Sequence, residues 1–192
     1  MSHHDPVAAA LAATPRAGHL PAEQVGFAHL DIPLPLFRGL PSSQPSTVAR
    51  MLRELDVPRG ASVLDVGAGS GWTTALLAHL VGPGGSVLGV ELDAELAMWG
   101  AARLAATGRP WARLVAADPR VLGAPTLAPF DRILVSAMAT DLPTALADQL
   151  SDDGVLVAPV ADQLWTVRRR GDDLSIRRSG AYRFVPLIPP RP

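Results

Sequence analysis

The residues best placed to do chemistry lie around one short apolar run. Asp65 stands two positions before the first of three alternating glycines in Asp65-Val66-Gly67-Ala68-Gly69-Ser70-Gly71. A turn without Cβ atoms lets backbone approach a ligand closely, and a helix starting there aims unbonded N–H groups at it. The spacing Gly-x-Gly-x-Gly departs from the dinucleotide fingerprint Gly-x-Gly-x-x-Gly. Asp65 would repel a pyrophosphate and welcome a cation. Glu91, at the end of a second apolar run, is placed to accept both hydroxyls of a ribose. Asp118, after a third, lies where an adenine amino group could be contacted. A nucleoside carrying positive charge and no phosphates describes S-adenosylmethionine. Each acid also has a plainer reading as a strand-end or turn residue.

These residues need a scaffold that alternates strands and helices. Ala61 to Val66 reads as a buried strand and Trp72 to Leu80 as a helix, a crossover unit of an open α/β sheet. Ser86–Glu91, Trp111–Ala116, Phe130–Ser136 and Gly154–Val160 read as further strands. Helices are expected over Pro45–Leu55, Ala94–Thr107 and Pro143–Leu150, with Gly108 stopping the second of these. Gln163–Arg169 and Leu174–Phe184 read as a terminal hairpin around Gly171-Asp172-Asp173. The outcome is a doubly wound, Rossmann-like sheet, mostly parallel with an antiparallel end near the C-terminus. Residues 1–21 are expected to be a flexible tail, with a short helix at Val7–Ala13. Residues 22–192 are expected to form a single domain. Within it the proline-rich stretch 31–45 is either a binding loop or a packed connector.

The totals exclude several functions. The chain has 192 residues, is 48% hydrophobic and 18% charged, and has a formal charge of −1. That is a globular composition with no broad attraction for nucleic acid or anionic membrane. With no cysteine, disulfides, thiol nucleophiles and thiolate metal sites are excluded. His3 and His4 read as terminal residues, so no metal is expected. Trp72–Val90 has the length of a membrane span, but Gly82-Pro83-Gly84-Gly85 cuts it into helix, turn and strand. The start lacks the pattern of a secretory signal. A cytoplasmic protein is the default expectation.

The order of motifs resembles the protein-L-isoaspartate O-methyltransferase family. Asp31-Ile32-Pro33-Leu34-Pro35 and Gly39-Leu40-Pro41-Ser42-Ser43-Gln44-Pro45 match its Asp-x-Pro-Leu-Pro-Ile and Gly-Gln-Thr-Ile-Ser-Gln-Pro segments. Ala128-Pro129-Phe130-Asp131, Gly154–Val160 and Arg183-Phe184-Val185-Pro186-Leu187 also match. The resemblance implies an antiparallel penultimate strand and a substrate loop at 31–45. It implies that Ser43 is the catalytic residue, near the substrate carboxylate. It implies cofactor contacts at Ser42, Asp65, Gly67, Ala68, Gly69, Ser70, Gly71, Glu91, Leu92, Asp118 and Pro119. It further implies S-adenosylmethionine as cofactor and a protein or peptide bearing isoaspartate as partner, and a monomer is the simplest expectation.

A carboxyl group with a pKa of about 4 is already ionised at neutral pH, so methyl transfer to it requires no general base. The protein must align the reacting atoms and exclude water. Ser43 Oγ would orient the carboxylate by a hydrogen bond. The chain departs from the family in three places. Gly-Asp-Gly becomes Ala117-Asp118-Pro119, which removes one backbone N–H. Gln-Thr-Ile becomes Leu40-Pro41-Ser42, and the basic Val-Pro-Arg-His segment is not seen in a shorter N-terminal region. These changes raise two alternatives, a methyltransferase for a dedicated natural-product peptide and a binding module without turnover. A nicotinamide oxidoreductase is disfavoured by the glycine spacing, and nucleic-acid methylation by charge and the lack of an Asn-Pro-Pro-Tyr motif.

Overall fold

A computed structural model describes residues 5–190, so His3 and His4 lie outside the described residues. Two short strands, β1 (Leu34–Pro35) and β2 (Pro41–Ser42), form an antiparallel hairpin. The main sheet contains β3 (Ser62–Val66), β4 (Ser86–Glu91), β5 (Ala112–Ala116), β6 (Phe130–Val135), β7 (Leu150–Val160), β8 (Gln163–Arg170) and β9 (Asp173–Ser179). Its order is β5-β4-β3-β6-β7-β8-β9. The pairs from β5 to β7 are parallel, and β8 runs antiparallel to both neighbours. β3 lies between β4 and β6 in the interior of the sheet and is buried from Val63 to Val66, which is why it reads as a nearly continuous apolar run.

Helices cover the sheet as their apolar positions require. α2 (Pro45–Leu55) starts with proline at its first position and buries Val48, Met51, Leu52 and Leu55. Each such side chain contributes about 1.5–3 kcal/mol on burial. α3 (Trp72–Val81) is buried nearly all round, because the sheet, α1 (Pro6–Ala13) and α4 (Ala94–Ala105) enclose it. Residues 5–21 are therefore no flexible tail. Asp5 accepts the N–H groups of Val7 and Ala8, and Val7 and Ala10 are buried beside α2 and α3. An alanine-rich helix carries too weak an apolar period to announce that packing.

Two other expectations are corrected. The helix expected over Pro143–Leu150 is a single turn, α5 (Thr144–Ala147), and β7 already begins at Leu150. The buried Gln149 side chain replaces further helix, donating to Leu122 O and Ala145 O and accepting from Ala124 N–H. The last strand stops at Ser179, where Gly180 turns with φ of 64°. The segment 181–190 then crosses back over the sheet, pinned by Met138 N–H to Val185 O and Leu187 N–H to Met138 O. Among the described residues no helix is long and apolar enough to cross a membrane.

Candidate active site

A crevice forms where the chain order reverses, since β4 and β6 pair with opposite edges of β3. Ligands of open α/β sheets bind at such a switch point, beyond the strand ends. Three spaces lie there. The first, about 470 Å³, is bordered by Gly67, Glu91, Leu92, Asp118 and Pro119, with apolar walls from Val66, Val90 and Leu122. The second, about 70 Å³, is bordered by Ser42, Ser43, Gly67, Ala68, Ser70, Glu91 and Ser136. The third, about 440 Å³, is bordered by Ser43, Gln44, Thr47, Ser136, Tyr182, Arg183 and Val185. Gly67 and Glu91 join the first to the second, while Ser43, Ser136 and Val185 join the second to the third.

The acids sit differently from one another. Glu91 is 8% exposed; its Oε2 accepts from Gly69 N–H at 2.9 Å and its Oε1 from Asp93 N–H at 3.0 Å. The carboxylate thus ties β4 to the glycine turn and faces both neighbouring spaces. Asp118 is exposed, and Arg120 donates to it from the backbone and guanidinium, holding its pKa at about 2. Asp65 borders none of these spaces and is fully buried. The expected cofactor residue thus lies beneath the glycine turn and not on a wall of these spaces. Its Oδ2 accepts from the hydroxyls of Thr73 and Thr74, each at 2.7 Å, whereas its Oδ1 has no hydrogen-bond partner among the described residues. Burial foremost, with the Glu91 charge adding to it, lifts the Asp65 pKa to about 6 despite the two threonine hydroxyls.

Gly69 and Gly71 border none of the spaces either. Gly71 has φ of 76° and caps α3. Ser42 borders the second space, but its hydroxyl accepts from Arg16 Nε at 3.1 Å. Its part is thus to anchor the hairpin.

The family model for protein-L-isoaspartate(D-aspartate) O-methyltransferase matches residues 1–191. A protein-L-isoaspartate O-methyltransferase of Methanopyrus kandleri is 42% identical over 187 residues, covering 95% of this chain and 83% of that protein. One from Aeropyrum pernix is 41% identical over 184 residues, covering 93% of this chain and 71% of that protein. The chain belongs to the protein-L-isoaspartate O-methyltransferase family.

The fold agrees with those of solved structures. A protein-L-isoaspartate O-methyltransferase superposes with a TM-score of 0.86 at 23% identity, over 95% of this chain and 61% of that one. A Plasmodium falciparum structure described as a beta-aspartate methyltransferase, in complex with S-adenosyl-L-homocysteine, gives 0.83 at 22% identity, over 96% and 91%. This methyltransferase is an enzyme that uses S-adenosylmethionine.

The site fits that cofactor on its own chemistry. A space of about 470 Å³ is of the size that small ligands occupy, and it offers two acids to the hydroxyl and amino groups of a nucleoside. The buried charge of Asp65 beneath the turn suits a cation and would oppose a phosphate.

Several residues of the methyltransferase site escaped sequence reasoning. Ser136 follows β6, and its N–H donates to Val66 O at 2.8 Å, which carries it to the mouth of the second space. Gly100 lets α4 touch the turn, since a Cβ there would stand 2.5 Å from Gly69 O. Gly89 leaves room for the Thr74 hydroxyl, which would otherwise meet a Cβ at 2.7 Å. His19 is 2% exposed and lies with Nδ1 3.0 Å from Ser70 O, to which it donates. The basic N-terminal segment expected to be absent is also present in part, since Thr14-Pro15-Arg16 keeps a Pro-Arg pair. An isolated glycine or histidine gives no local signal; a lone glycine inside a strand or helix is the nearest to one.

Proposed function

We propose that the enzyme acts on L-isoaspartyl residues of damaged proteins and peptides, with Ser43 orienting the carboxylate that is methylated. One observation carries this reading. Ser43 borders both the narrow space beside the glycine turn and the wide cleft of about 440 Å³. A peptide in that cleft can offer a carboxylate to the narrow space of about 70 Å³. Bound S-adenosylmethionine supplies an electrophilic methyl group on a sulfonium.

The remaining roles follow from position. Glu91 accepts from ribose, Asp118 from adenine, and Gly67, Ala68 and Ser70 line the narrow space. Leu92 and Pro119 wall the wide nucleoside space. Asp65 stabilises positive charge through the turn above it. No side chain needs to move a proton, because the carboxylate is ionised near pH 7. The enzyme supplies alignment, which alone accounts for several kcal/mol of a barrier.

A labelled-methyl assay on an isoaspartyl peptide beside its aspartyl twin tests the reading. Base-labile label is expected on the isoaspartyl form alone. Ser43→Ala should lower kcat/KM at least about 10-fold, the worth of one hydrogen bond to a charged group. Cofactor affinity should stay within about threefold, because other residues hold the cofactor. Unchanged kcat/KM would remove Ser43 from the site.

A further inference from the structure

Arg16 is a buried cation with no direct salt bridge. It is 5% exposed, no carboxylate of the described residues touches it, and Asp31 is the acid near enough to act on it through charge. Its guanidinium instead donates to oxygens of the substrate loop and of Leu30 just before it. Nε reaches Ser42 Oγ at 3.1 Å and NH2 reaches Ser42 O at 2.9 Å. NH1 reaches Ile32 O at 3.0 Å and Leu30 O at 3.4 Å. Its carbon also sits 5.6 Å from the centre of the Trp72 ring. Burying a charge is costly unless hydrogen bonds satisfy it, and this one spends its donors on the backbone at both flanks of the hairpin that carries Ser43.

The same stretch grips the cofactor half of the site. Thr14 O accepts from the Trp72 indole at 3.0 Å, at the first residue of α3. His19 donates to Ser70 O within the glycine turn at 3.0 Å. Residues 14–19 thus hold three things at once, namely the start of α3, the glycine turn, and β2 next to Ser43. Methyl transfer demands in-line geometry, and an error of about 1 Å can cost about 100-fold in rate.

We infer that Arg16 is a positioning residue of the methyl transfer, which through Ser42 fixes how Ser43 stands relative to the glycine turn. The inference rests on the reading that Ser43 orients the substrate carboxylate. Arg16 touches no reacting atom, and its fork geometry is what matters. Lysine keeps the charge but cannot reach Ser42 and Ile32 together.

A double-mutant cycle between Arg16→Lys and Ser43→Ala tests it, with methylation kinetics and calorimetric binding of an isoaspartyl peptide to the enzyme saturated with S-adenosylhomocysteine. Arg16→Lys alone should lower kcat/KM up to about 10-fold, no more than Ser43→Ala itself, and weaken peptide binding, with S-adenosylhomocysteine affinity held within about threefold. On the Ser43→Ala background the same change should cost less than about threefold, since its route of action is already gone. Equal losses on both backgrounds would overturn the inference, because a general loosening of the fold acts on both alike. Normal kcat/KM in a folded Arg16→Lys enzyme would overturn it too. If Ser43→Ala has no effect of its own, the reading of Ser43 fails and takes this inference with it. Should Arg16→Lys not fold, Ser42→Ala removes only the hydroxyl acceptor. It should then couple to Ser43→Ala in the same sense, by about threefold, and strict additivity would count against Arg16.

Discussion

Replacing Asp65 with asparagine removes a charge while keeping the shape of a wholly buried side chain. The pKa of this carboxyl is raised from 3.8 to about 6 by burial foremost, with the Glu91 charge adding to it. At about 1.4 kcal/mol per unit, holding it ionised near pH 7 costs the folded enzyme about 3 kcal/mol. The sign is opposite to that of a salt-bridged aspartate. Between pH 3.8 and about 6 the folded state binds more protons than the unfolded state. The Asp65 contribution therefore falls as pH rises through that window and is flat above it.

His19 shifts the other way. Burial lowers its pKa, so its contribution is complete above about 6.5 and falls as the solution is acidified. It cancels when wild type and variant are compared. Urea unfolding of the cofactor-free enzymes at several pH values should give a wild-type-minus-Asp65→Asn difference that declines by about 2.4 kcal/mol from pH 4 to pH 7. Cofactor binding supplies the second arm. The sulfonium of S-adenosylmethionine and the neutral sulfur of S-adenosylhomocysteine differ in charge at one atom. Their affinity ratio should drop in Asp65→Asn, whatever the loss common to both. A flat stability difference refutes the displaced ionisation, and an unchanged ratio refutes the electrostatic role.

Two further outcomes are expected. Gly100→Ala places a Cβ 2.5 Å from Gly69 O and 3.1 Å from Ser70 C, all backbone that cannot yield cheaply. It should cost about 1–3 kcal/mol, lowering Tm by about 5 °C in a thermal melt, and should weaken cofactor binding. An unchanged Tm would mean that α4 can move away freely. Glu91→Gln replaces one acceptor oxygen with an amide that faces the N–H of either Gly69 or Asp93. Cofactor affinity should fall about 10-fold, and discrimination between S-adenosylhomocysteine and its 2′-deoxy analogue should shrink. If discrimination persists, another group reads the ribose.

The chain by itself determined the alternation of strands and helices, the glycine turn and the acid closing β4, because each is written in a local period or spacing. Motif order from Asp31 to Leu187 carried the family, and with it the serine beside the crevice. Only tertiary structure decided which of those residues face the crevice. Asp65 and Glu91 are both strand acids, yet one lies under the turn and the other beside it, since a strand's side chains alternate between faces and only packing decides what covers each. Tertiary structure also brought in what local sequence could not rank. Arg16 and His19 act over 26 and 51 residues, through bonds to Ser42 and Ser70. The closing segment 181–190 returns over the sheet because Gly180 turns it there. Contacts between distant stretches leave no period along the chain. They arise when packing makes a buried polar group find its partner.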